Sequence, residues 1–271
     1  MTTELGAVLY ATDLGPNAES EYAHALRLAT ATGAALHVVH VLPAPPVGAP
    51  PVLPAPPWAT AARATWHHPV DSNVTIGVVR AILELQPEML VLGTARRKGL
   101  DRLLHTSVAE DLTRRAGLVT LFVGVGTRPL VRIADGATLA RRVLLPVDSD
   151  QVHQQRAIDV AAFVLRAFTR PGDGGDEAVE LVALHVGSEE TFPALVTVPR
   201  AGWAWRRAMR HGPVVQAVLD CAEEVDPDLV VMATRGEDSL LDSLTGTRTE
   251  HVLRSVRCPV LVVPVGINPR G

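Results

Sequence analysis

The chain has 271 residues, 47% of them hydrophobic but only 4% aromatic, and a formal net charge of -4. That is apolar material for one large or two ordinary cores built from Ala, Val and Leu, and the charge gives no basic field for a nucleic-acid backbone. No apolar run reaches the roughly 18 residues that span a bilayer, no leader pattern precedes the first strand, and two cysteines make no disulfide framework, so a reducing, cytoplasmic setting is expected.

Taken in order, Val8, Leu9 and Tyr10 mark a strand over 7–12 with Asp13 at its carboxyl end. Asn17 is placed to cap a helix carrying Ala18, Tyr22, Ala25 and Ala29 at helical spacing, and Gly33 stops it. A second strand over 35–42 follows, and this strand, helix, strand order requires a right-handed parallel crossover. Residues 43–57 are proline-rich, which excludes a helix and predicts an extended surface spacer; a docking ligand for a proline-recognising partner is the alternative. A short strand over 64–68, a helix over 73–85, a strand over 89–93, a helix over 102–115 and a strand over 118–123 complete the first half.

Residues 124–140 join it to a second half that repeats the order. A strand over 143–147 leads to Asp148 and to a helix with Ile158, Ala161, Ala162, Leu165 and Phe168 on one face. After a glycine-rich insertion at 171–176 come a strand over 179–186, a strand over 203–209 and a helix over 214–224. Aligning the loops at Pro87 and Pro227 pairs Met89-Leu90-Val91-Leu92 with Leu229-Val230-Val231-Met232, and 118–123 with 258–263, at one offset. The halves are therefore copies of one fold. We expect domains over 1–126 and 141–271 with a linker over 127–140.

Both copies follow the fourth strand with a loop and a helix start. In the second, Gly236, Gly246 and Thr247 stand in that loop, and small residues before a helix let an anion reach the free amides of its first turn. The spacing Ala233, two residues, Gly236, nine residues, Gly246-Thr247, and its echo Gly93, two residues, Arg96, nine residues, Thr106-Ser107, resembles the nucleotide-binding signature of the universal stress protein family. The text GTARRKGLDRLLHTSVAE and the closing CPVLVVP extend that resemblance over nearly the whole chain.

The resemblance implies two tandem doubly wound parallel α/β domains of the adenine nucleotide alpha hydrolase-like type, paired about a pseudo-two-fold axis through their last strands. It implies ATP as ligand, with Mg2+ offsetting Glu237 and Asp238. The aspartate after each first strand would lie near adenine and ribose, and the loop would hold the phosphates. In the second half the implied site is Val147, Asp148, Val186, Met232 and Ala233, then Arg235, Gly236, Gly246, Thr247, Arg248 and Thr249. The weaker first-half site is Thr12, Asp13, Val41 and Gly93, then Arg97, Thr106, Ser107 and Val108. Arg96 and Thr106 replace glycines there, although Arg96, Arg97, Lys98 and Arg102 make that loop cationic. Geometry favours the second half and charge the first.

A plainer reading of Asp13 and Asp148 is that each caps its following helix. His40 and His185, at matching strand ends, read as hydrogen-bonded core residues, and His67 and His68 point to opposite faces. Trp66, Trp203 and Trp205 read as cover for a sheet edge or interface. No metal-ligand spacing, nucleophile elbow or activated cysteine is present, so no catalytic residue and no metal site are assigned. The leading expectation is a stress-response regulator that binds an adenine nucleotide and signals to a protein partner; a ligand-free scaffold and a slow ATP hydrolase are the alternatives. Further dimerisation is left open.

Overall fold

The computed structural model describes residues 5–59, 64–94, 118–169, 178–197, 200–235 and 248–265. The expected helix over 102–115 and the glycine-rich insertion at 171–176 lie outside them. The first half contains β1 (Ala7–Ala11), α1 (Ala18–Thr32), β2 (Ala35–Val39), β3 (Ala64–His67), α2 (Val74–Leu85), β4 (Met89–Thr94) and β5 (Val119–Gly124). The second contains β6 (Arg142–Val147), α3 (Gln151–Phe168), β7 (Val179–Val186), β8 (Trp203–Arg210), α4 (Val214–Val225), β9 (Leu229–Arg235), α5 (Arg248–Ser255) and β10 (Val260–Val265).

All these strands form one sheet in the order β3-β2-β1-β4-β5-β10-β9-β6-β7-β8. Each half runs parallel within itself, and β5 meets β10 antiparallel, Val260 opposite Phe122 and Leu261 opposite Leu121. The predicted pairing of last strands is thus present. Two apolar edges that would each be open are buried against one another, and the sheet order reads the same from either end.

Strand alternation divides the core between two faces. Val8, Tyr10, Met89, Val91, Leu121, Val143 and Leu261 face α1 and α3, while Leu9, Ala11, Leu90, Leu92, Leu144 and Val262 face the layer of α2, α4 and α5. Helices α1 and α3 also touch each other, His24 meeting Phe168 edge to face at 6.4 Å, so one core spans both halves. Each fully buried Leu or Val side chain contributes about 1.5–3 kcal/mol, which makes this shared face a principal bond between the copies. Trp66, Trp203 and Trp205 are half-buried against it, as their reading as cover anticipated.

Three local expectations change. Asn17 precedes α1, but its side chain caps nothing; its Nδ2 donates to Glu21 Oε1 at 3.1 Å. Gly33, in the left-handed region at φ 74°, does end that helix. The last strand of the second half starts at Val260 rather than at 258, because Pro259 has no N–H to offer and contributes only its carbonyl, to Val230 N–H. The second strand ends at Val39 and continues to Leu42 only as isolated contacts.

The segment joining the halves is packed rather than exposed. Leu130 and Val131 are fully buried, and Val131 bridges Thr138. His24, fully buried in α1, accepts the Leu130 N–H at Nε2, and Arg128 reaches the loop before β9. Trp58, just past the proline tract, lies over Gly136 and donates to Ile133 O at 2.8 Å. Gly136 has φ 71°, and a Cβ there would stand 2.5 Å from the indole, so both backbone and packing require glycine. Among the described residues no helix is long and apolar enough to cross a membrane.

Candidate functional site

In each half the strand order reverses between the first and fourth strands, β1 beside β4 and β6 beside β9, and the crevice at their carboxyl ends is where an open α/β sheet binds ligands. Two matching histidines align the crevices. His40 Nδ1 donates to Thr12 O at 2.9 Å and His185 Nδ1 to Val147 O at 3.1 Å, so Thr12 corresponds to Val147, Asp13 to Asp148, and Ala11 to Pro146. Both histidines are hydrogen-bonded structural residues, as their plain reading held.

The crevices differ in how far their strands remain zipped. β1 and β4 pair through four positions, ending at Ala11 opposite Leu92. β6 and β9 pair only at Val143–Leu229 and Leu144–Val230. The cause is Pro146. Arg141 O bonds toward β7 and Arg142 O toward β9, so by alternation residue 146 faces β9, and a proline has no N–H for that ladder. The registered β6–β9 ladder therefore stops two positions short of the β1–β4 one.

The first-half crevice is filled instead. Tyr10, Asn17, Glu21 and Gly93 meet over the ends of β1, β4 and β5. Glu21, only 5% exposed, has Oε2 at 3.0 Å from the Tyr10 hydroxyl and Oε1 at 3.1 Å from Asn17 Nδ2, while Asn17 Nδ2 also reaches Val123 O at 3.4 Å. Burial pushes the Glu21 carboxyl up to about 7 against the pull of those two hydrogen bonds, and Asp13 adds a further upward push. Burial also raises the Tyr10 phenol, which stays protonated. A Cβ on Gly93 would lie 2.6 Å from Glu21 Cδ, so the glycine leaves room for this carboxylate.

Thr12, Asp13 and Val41 do come together. With Ala11, His40, Val74 and Val78 they line a cleft of about 50 Å³, far below the roughly 300 Å³ of a small-molecule pocket. Helix α2 presses in because Gly77 admits Val41, whose Cγ1 would be 2.7 Å from an added Cβ. Asp13 Oδ1 accepts the Gly15 N–H at 2.8 Å, a turn rather than a helix cap. Of the other first-half candidates Gly93 is the last residue but one of β4, whereas Arg97, Thr106, Ser107 and Val108 lie outside the described residues.

In the second half Val147 and Met232 are buried at the ends of β6 and β9, Ala233 and Val186 are half-buried, and Asp148 is exposed. Asp148 Oδ1 accepts from Ser149 N–H at 2.6 Å, and the cap of α3 is Asp150, which accepts from His153 N–H. Arg235 ends β9, and α5 opens with exposed Arg248 and buried Thr249. Gly236, Gly246 and Thr247 lie outside the described residues. Thr234, 2% exposed at the end of β9, has a hydroxyl with no hydrogen-bond partner among the described residues. Counting from the residues before each helix, Asn17 and Asp150, the counterpart of Glu21 is Gln154: both are 5% exposed and both N–H groups bond back to the residue before the helix. The second half thus has a neutral side chain where the first has a carboxylate.

Three things escaped sequence reasoning: Glu21, the effect of Pro146, and a pair formed by His37 and His67, whose Nδ1 and Nε2 are 3.1 Å apart across β2 and β3. Among the described residues no three His, Cys, Asp or Glu side chains converge to hold a metal. Cys221 and Cys258 are buried and free; burial raises both thiols, that of Cys258 to about 12, which leaves them unreactive.

The universal stress protein family model matches residues 5–65 and 200–264. A universal stress protein of Methanocaldococcus jannaschii is 27% identical over 154 residues, 48% of this chain and 86% of that protein. One from Synechocystis is 26% identical over 151 residues, 51% of this chain and 94% of its own length. Among solved structures, a universal stress protein from Archaeoglobus fulgidus superposes with a TM-score of 0.63 at 18% identity, covering 96% of this chain and 98% of that one. A Pseudomonas aeruginosa protein gives 0.58 at 13% identity, covering 97% and 94%. Single-copy relatives match about half of the chain, the family model matches at both ends, and a solved family fold spans nearly all of it. The chain belongs to the universal stress protein family, as a member carrying two copies of the fold in tandem.

Proposed function

We propose that this protein is a stress-response regulator that binds one adenine nucleotide, ATP with Mg2+, in its second half, and that occupancy of that site is read by a protein partner. The observation that carries the choice of half is the early end of the β6–β9 ladder at Pro146, which leaves Val147 and Ala233 outside the registered ladder at the switch point. The residues fit a phosphate-bearing ligand. The Thr234 hydroxyl is buried without a partner among the described residues, Gln154 adds no charge, and Arg248 starts the helix that follows the loop. Adenine as the base, and the roles of Gly236, Gly246 and Thr247 toward the phosphates, rest on the family signature. Regulation rather than turnover is the reading because the motif supplies amides and small residues for holding phosphates but no group placed to activate water.

Isothermal titration with Mg-ATP tests the reading. A single site of micromolar or weaker affinity, lost in Gly246→Arg and kept in Gly93→Ser, is expected. Absence of heat and of thermal shift at millimolar ATP would leave the ligand-free scaffold as the function.

A further inference from the structure

We propose that the first-half crevice carries its own internal ligand: the Glu21 side chain of α1 sits over Gly93 and closes this half to nucleotide. The proposal goes beyond the nucleotide reading of the second half and does not depend on it.

The argument begins with a glycine. Of the three glycines in the signature, the first half has lost two, to Arg96 and Thr106, and kept only Gly93. If Gly93 survived to let a phosphate approach the backbone, the space above it would be free. That space holds Glu21: an added Cβ would meet its Cδ at 2.6 Å and its Oε2 at 2.8 Å. Gly93 is not among the residues with positive φ, so its backbone does not require glycine. What requires it is the carboxylate.

Glu21 is held there rather than merely passing. Tyr10 from β1 and Asn17 from the start of α1 bond one oxygen each, and the same Asn17 amide reaches the Val123 carbonyl on β5. The Tyr10 hydroxyl also lies 2.9 Å from Thr12 Oγ1 and 3.0 Å from Ala18 O, which ties the network into the end of β1. Among the described residues the charged and titratable groups around the carboxyl are Tyr10 and Asp13, neither of them cationic. A phosphate entering the crevice would have to displace the network and would meet two carboxyl groups. Occupied space is what closes the crevice, and the cleft beside Asp13 adds only about 50 Å³.

A double-mutant cycle in the full chain tests this without any ligand. Gly93→Ala should lower Tm by roughly 5 °C or more in the wild-type background, because a methyl group must be forced against a bonded carboxylate, and by less than half of that in a Glu21→Ala background. Glu21→Gln, which keeps the shape, should leave the Gly93→Ala penalty as large as in wild type, and it serves if Glu21→Ala folds poorly. Equal penalties in Glu21→Ala and wild type would overturn the proposal. Closure is read by amide NMR with Mg-ATP as the probe: the Gly93, Thr94 and Val123 amides should stay unmoved in wild type. Saturable shifts at those amides would overturn it. No shift anywhere in the chain, with the coupling present, would instead count against nucleotide binding in the second half and leave the Glu21 assignment standing.

Discussion

His24 Nε2 accepts the backbone N–H of Leu130 across 2.9 Å, and its Nδ1 donates to Ser20 O at 2.6 Å, so a fully buried neutral imidazole fastens α1 to the segment joining the two halves. Burial holds its pKa down at about 4. The folded state thus refuses a proton that the unfolded chain accepts below about 6.5, and the His24 contribution to stability falls as pH drops from about 6.5 to about 4, by up to about 3 kcal/mol. His24→Leu should remove that contribution. It should also cost about 1–3 kcal/mol at pH 7, because Leu130 N–H loses its acceptor. Urea unfolding at pH 7 and pH 5 measures both effects.

Glu21 acts in the opposite direction. Its folded pKa of about 7 lies above the ordinary 4.5, so its contribution is fully present below about 4.5 and is lost as pH rises through about 7. Glu21→Gln should match wild type near pH 4.5 and exceed it by up to about 3 kcal/mol at pH 8. Between about 4.5 and 6.5 the Glu21 and His24 slopes offset each other in the native protein. Glu21→Gln should therefore lose stability on acidification there, and His24→Leu should gain it. Parallel urea midpoints for the two variants across that window would refute both assignments.

Arg128 is the second fastening of the joining segment. Its guanidinium donates to Asp226 Oδ2 at 2.9 Å and to the Asp226 and Pro227 carbonyls, with Asp228 Oδ1 at 3.3 Å; Asp228 in turn accepts the Arg141 and Arg142 N–H groups. The bond to Asp226 raises the Arg128 pKa. Arg128→Ala should cost about 1–2 kcal/mol, a value tempered by partial exposure and shrinking in 0.5 M salt. Loss of more than the whole β5–β10 seam, seen as separate unfolding of the halves by calorimetry, is not expected, because the core shared by α1 and α3 remains.

The order of strands and helices was legible because buried parallel strands write themselves as short Val and Leu runs, and the repeat offset checked each one against its copy. The joining segment was not. Its Gly, Pro and charged residues read as a tether, yet Leu130 and Val131 are fully buried, since burial of a non-periodic stretch leaves no pattern. Glu21 was invisible for a related reason: a glutamate in the first turn of a helix reads as solvated and favourable to the dipole, and only the closeness of Gly93 shows it turned inward. Pro146 stood in the sequence, but its effect depends on which neighbour its missing N–H faced, and that needed the register.

The proline tract divides at Leu53. Residues 43–52 are mostly exposed, while Leu53 packs against the core and Trp58 is pinned on Gly136 and Ile133. Replacing 43–52 with a Gly/Ser linker should leave Tm within about 2 °C of wild type. Trp58→Ala should lower stability by about 2–4 kcal/mol through lost burial and an unpaired Ile133 carbonyl. A dispensable Trp58, measured by thermal denaturation, would mean that the tract does not brace the joining segment.

Pro146 offers the sharpest check on the nucleotide reading, because it changes one hydrogen bond and no charge. In the first half Ala11 supplies an N–H toward β4 and the strands pair through Leu92; in the second Pro146 supplies none and pairing stops at Val230. Pro146→Ala returns the donor, so the β6–β9 ladder should extend toward Val147 and Ala233. Titration with Mg-ATP should then show affinity weakened about 3–10-fold, the worth of roughly one hydrogen bond spent on the sheet instead of the ligand, with the β6 and β9 amides better protected from exchange. Ala11→Pro opens the first-half ladder but leaves Glu21 over Gly93, so it should create no second site. Should Pro146→Ala bind ATP as tightly as wild type while its β6–β9 amides gain protection, the ladder gap is not what admits the ligand.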